Sequence, residues 1–157
     1  MNFLFTHTHT YFSYEPIENV REKIKALTRK PWYDATPNLA GRFTNEKKFT
    51  LTSKWSFVLI KWLERDTVYL NGTLSEHGSG TQIDVSVRPN SGLVIFFYLL
   101  IILFIFEAFG TTILEGSVWF KLGFYALFCL ILLFLMRFSI ENIKMKLEKY
   151  LGLSPKV

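Results

Sequence analysis

Cysteine occurs once in the 157 residues, at Cys129. A single thiol excludes an intramolecular disulfide and a cysteine-based zinc site, and inside a long apolar stretch it reads as a small apolar residue. Histidine is nearly as scarce, confined to His7, His9 and His77. Also missing are a phosphate-binding glycine loop followed by Lys, a paired-histidine zinc helix and a nucleophile elbow; Ser79, between Gly78 and Gly80, lacks the flanks that position a catalytic serine. Residues 1–5 have no basic head, long apolar centre or small-residue cleavage site, so no cleavable signal peptide is expected. Charge is the last scarcity: from 93 to 136 only Glu107, Glu115 and Lys121 interrupt the apolar sequence.

What fills that region is two apolar runs, Leu93 to Phe109 and Leu122 to Met136. Extended to Ile113 or Leu114, the first would make a helix of roughly 33 Å, enough for a hydrocarbon core of ~30 Å. The second reaches a similar length if it starts near Val118 and Lys121 stretches its ammonium group back to the headgroups. A helical hairpin meets the demand of lipid that every backbone N–H and C=O be bonded internally. The alternative, a buried helix pair in a soluble core, would keep a polar stripe that neither run has.

The expected organisation is therefore an α+β domain over 1–92, a two-helix transmembrane hairpin over 93–136 and a C-terminal amphipathic helix and tail over 137–157. Lys and Arg exceed Asp and Glu on both sides of the hairpin, 12 to 9 before it and 5 to 2 after it. Arg88, Arg137, Lys144, Lys146 and Lys149 flank it closely, which by the positive-inside rule places both termini in the cytoplasm. Many of the 16 Phe fall in the apolar runs, so the aromatic content reflects lipid contact rather than base stacking. Nucleic acid is not an expected partner.

In the remaining chain, Phe3 to Tyr14 has a strand composition that puts His7 and His9 on one face. Pro16 suits a first helical turn, and Ile17, Val20, Ile24 and Leu27 repeat at helical spacing up to about Thr28. After a loop with Pro31 and Pro37, period-two patterns predict a meander over 41–45, 47–53, 57–62, 67–76 and 81–88, the last two joined by a turn at 77–80. Alternation in the final strand implies an antiparallel sheet covered on one face. The N-terminal helix is the expected cover. Ile140, Ile143, Leu147 and Leu151 form a second helical stripe that either folds back on the sheet, making the spans an insertion within an α+β domain, or lies on the bilayer. Residues 55–63 are apolar in both parities and fit a buried strand, a membrane contact or an interfacial helix.

Spaced strand and turn positions at Gly41-Arg42-Phe43, Phe49-Thr50-Leu51, Gly72-Thr73-Leu74 and Gly80-Thr81-Gln82-Ile83 resemble those of uncharacterised bacterial small membrane proteins with a cytoplasmic α+β domain followed by a two-helix transmembrane hairpin. The resemblance implies that fold and a place in the bacterial inner membrane. It implies no activity.

Few residues point to chemistry. His7 and His9, at i and i+2 of a strand, have the geometry that metal sites use, with His77 as a third nitrogen; the plainer reading is two semi-polar groups near a sheet edge. Glu107 and Lys121 fall at similar depth in a hairpin and are expected either to pair, fixing its register, or to snorkel separately. Trp55, Phe57, Trp62 and Tyr69 are candidates for lining an apolar cavity, though such aromatics commonly form core. Asn71-Gly72-Thr73 matches a glycosylation acceptor that a cytoplasmic location excludes, and the Asn-Gly pair reads as a bulge or bend. No cofactor is expected. The expected function is that of a non-enzymatic accessory protein with a membrane-protein partner or a second copy, or alternatively of a membrane-anchored module for a lipid or small apolar ligand.

Overall fold

The computed structural model describes residues 5–29, 39–53, 68–109 and 117–155. In chain order these form β1 (His7–Ser13), α1 (Ile17–Arg29), β2 (Leu39–Phe43), β3 (Lys48–Ser53), β4 (Val68–His77), β5 (Gly80–Pro89), α2 (Ser91–Ala108), α3 (Val118–Leu151) and β6 (Ser154–Pro155). The chain divides into two compact units, 1–89 with 139–157, and 90–138.

The first unit is α+β. Its sheet is antiparallel throughout, in the order β2-β3-β4-β5-β1-β6. Register aligns Leu51, Leu70 and Val87 in one row and Leu74, Ile83 and Tyr11 in another, so a single face carries the apolar residues. Ile17, Val20, Ile24 and Leu27 of α1 join that core together with Ile140, Ile143, Leu147 and Leu151 of α3. The C-terminal stripe is thus part of the core, and residues 90–138 are inserted within the α+β unit. Burying one such Leu or Ile contributes about 1.5–3 kcal/mol.

One local difference from expectation has an identifiable cause. β4 runs in register with β5 straight through Asn71 and Gly72, without a bulge. Gly72 is instead where the Phe49 ring lies, and a Cβ there would sit 2.1 Å from Phe49 Cζ. The chain turns at Gly78 and Ser79, with Gly78 at φ +59°, the positive value a two-residue hairpin loop requires. The predicted strand over 57–62 lies outside the described residues.

In the second unit, α2 and the first part of α3 are both long and apolar enough to cross a membrane. Asn90 caps α2, its side chain accepting a 2.7 Å hydrogen bond from the Gly92 N–H. The helix stops at Ala108, giving about 27 Å rather than the 33 Å expected. Gly110, Thr111 and Thr112 follow in sequence, all weaker helix formers than Leu or Ala. Val94, Phe97, Leu100 and Glu107 form the buried stripe of α2, and Lys121, Tyr125, Leu132 and Met136 that of α3.

No break separates the hairpin from the C-terminal segment. α3 is one helix of 34 residues, about 51 Å, because the sequence has no Gly or Pro between Gly123 and Gly152. It ends where Gly152 takes φ +63° and the Leu153 N–H bonds to the Glu148 carbonyl at 3.0 Å, a Schellman closure. β6 then pairs with Tyr11 and Phe12.

Candidate functional site

The buried charges of the hairpin meet. Lys121 Nζ donates to Glu107 Oε1 in an ion pair whose side chains are 6% and 0% exposed. Glu107 occupies the last turn of α2 and Lys121 the first turn of α3, so the pair joins the helices at the end remote from Asn90. A buried ammonium or carboxylate is tolerated only when paired. Phe96 and Phe128 make a second contact between the helices, edge to face with centroids 6.3 Å apart. The outward faces are apolar: Ile95, Leu99, Phe120, Leu130 and Phe134 are all exposed.

The histidines do not converge. His7 pairs in register with Val87 and His9 with Val85, placing both on the face of the sheet that carries the core. His77 belongs to the opposite face, where its ring stands 4.9 Å from that of Phe12. It is seven positions along β4 from Leu70, which shares a row with Val87 and His7. Strand rise makes that roughly 23 Å, so His77 cannot complete a site with the other two. Among the described residues, no group of three His, Cys, Asp or Glu side chains is arranged to hold a metal ion.

His7 and His9 belong instead to a polar seam between β1 and α3, which sequence reading did not identify. Tyr11, 1% exposed, donates a 2.7 Å hydrogen bond to Glu148 Oε1. Burial and this carboxylate push the Tyr11 phenol well above the usual tyrosine range. His9 is half-buried and its ring centroid lies 6.1 Å from that of Tyr11. Burial holds the His9 imidazole below its ordinary value, with Lys144 and His7 acting in the same direction and Glu141 and Glu148 opposing them. The spacing of Glu141, Lys144 and Glu148 was visible as one flank of the C-terminal stripe. What it faced was not, because contact with β1 spans more than 130 positions.

Tyr69 pairs with Arg88 on the face opposite the core, and Trp55, Phe57 and Trp62 lie outside the described residues. The cavity expected from these four residues thus lies mostly outside the described residues. Polar side chains bond across the same face: Thr10 and Gln82 both donate to Asp84, and Thr50 donates to Asn71 at 2.9 Å. No protein-family model, curated protein or solved structure matches this chain.

Proposed function

We propose that this is a non-enzymatic accessory protein of the bacterial inner membrane, holding a small α+β unit at the cytoplasmic surface and binding another membrane protein or a second copy of itself through its two spans. The observation that carries this reading is the outward faces of the two helices. Only 22% and 17% of their most apolar windows are buried within the chain. The core helix of a soluble protein would be mostly covered; these helices need lipid or an apolar partner around them. The buried Glu107–Lys121 pair supports it, since neither charge then faces hydrocarbon.

The insertion supports a single side for both termini. Both chain segments of the α+β unit, 1–89 and 139–157, contribute to one core, which favours one compartment for both. Arg88, Arg137 and Lys144 around the apolar segments favour the cytoplasm.

Mass spectrometry of the protein extracted gently with its native lipid tests the reading. A reproducible stoichiometric protein partner or homo-oligomer is expected. A lone chain carrying one defined lipid would overturn it in favour of a ligand-binding module.

A further inference from the structure

The sheet ends on one side in β2, which pairs with β3 alone. The Thr44 N–H donates to the Lys48 carbonyl and, one strand further in, the Leu74 N–H donates to the Lys47 carbonyl. Backbone groups of an antiparallel strand alternate between its two sides. Ala40 and Arg42, in phase with Thr44, therefore turn theirs toward β3, and Leu39, Gly41 and Phe43 turn theirs outward. Among the described residues nothing bonds to those outward groups. The far edge of the sheet ends in β6, only two residues long and bearing Pro155, the kind of strand that blunts an edge. β2 has no proline and no bulge in its register with β3, and its single charge is Arg42.

We infer that β2 pairs antiparallel with β2 of a second copy of this chain, about a two-fold axis at Gly41, so that two sheets join edge to edge. An unpaired strand edge is a template for another strand, and this one is complementary to itself. With Gly41 opposite Gly41 of the second copy, Leu39 lies opposite its Phe43, and every outward N–H and C=O of both strands finds a partner. Leu39 belongs to the core and Phe43 packs against it, so the apolar face continues across the junction. On the other face the exposed Arg42 lies opposite Ala40 of the second copy, and no like charges stand directly opposed. The contact belongs to the α+β unit alone and goes beyond the association through the spans proposed above.

Disulfide trapping of the full chain in a Cys129→Ser background tests the register. Ala40→Cys and Arg42→Cys chains bearing different tags are co-expressed and oxidised. In the proposed ladder these two positions form a pair without mutual hydrogen bonds, their Cα atoms about 4.5 Å apart and within the span of a disulfide. Like positions are diagonal neighbours roughly 7–8 Å apart, so cross-linking between the two variants is expected to exceed that of either with itself by about fivefold or more. Ala40→Lys and Ala40→Glu then separate pairing from folding, since both place a long charged side chain at one site. Energy transfer between labelled copies diluted in lipid is expected to fall about twofold or more for Lys, which opposes Arg42, and to hold or rise for Glu. Equal yields from mixed and single-variant chains, or equal energy transfer for the Lys and Glu variants, overturn the inference. Copies that still associate in either case join through the spans instead, leaving the membrane reading intact.

Discussion

The Tyr11 hydroxyl donates a 2.7 Å hydrogen bond to the Glu148 carboxylate, tying the first strand to a helix 137 residues later in the chain. The bond closes the α+β unit from both sides of its insertion. Hydrogen bonds to a charged group contribute about 1.5–3 kcal/mol, and Tyr11→Phe is expected to destabilise the unit by that amount in chemical unfolding. Glu148→Gln should cost less, since an amide oxygen still accepts. The double variant should lose less than the sum of the two single losses.

Gly72 is predicted to tolerate no side chain. Gly72→Ala places its Cβ 2.1 Å from the Phe49 ring and should cost about 1–3 kcal/mol of unfolding free energy. Phe49→Leu, harmful alone because it empties part of the core, should make the Ala at 72 less costly in the double variant.

Stability should fall on acidification because of His9. Its folded imidazole is held below the unfolded value of about 6.5, so above that pH both states are neutral and His9 adds no pH dependence. Below it the unfolded chain binds the proton more readily, and stability is lost as pH falls through the folded value. Unfolding measured from pH 7.5 to 4.5 should show this slope, and His9→Gln should flatten it.

Removing one member of the Glu107–Lys121 pair leaves the other charged and buried. Glu107→Gln or Lys121→Met should each destabilise the hairpin by about 3–5 kcal/mol in detergent-based unfolding. The double variant should recover much of that loss. Unchanged stability in all three would remove the pair as a determinant of hairpin packing.

Much of this architecture was legible because it is periodic. The helical spacing of Ile17, Val20, Ile24 and Leu27 and the alternation of Ile83, Val85 and Val87 each mark a face, and each face enters the core. The stripe from Ile140 to Leu151 was equally clear, but its partner was not, since an apolar stripe fits a sheet and a lipid surface alike. The pairing of Glu107 with Lys121 could be anticipated from hairpin geometry, which limits what each charge can reach. The Tyr11–Glu148 bond and the ring of Phe49 over Gly72 depend on strand order and register, which local pattern does not contain. His77 illustrates the opposite error, a residue type grouped with His7 and His9 although parity and distance along β4 separate them.

Side-specific thiol labelling in intact bacterial cells tests the central claim most directly. In a Cys129→Ser background, single cysteines at Ser79, Lys149 and Ser117 report the two segments of the α+β unit and the closed end of the hairpin. Ser79→Cys and Lys149→Cys are expected to resist a membrane-impermeant reagent in intact cells and to react in inverted vesicles, with Ser117→Cys showing the reverse. Labelling of Ser79→Cys and Lys149→Cys from opposite sides, or recovery of the chain free of membrane, would contradict the account.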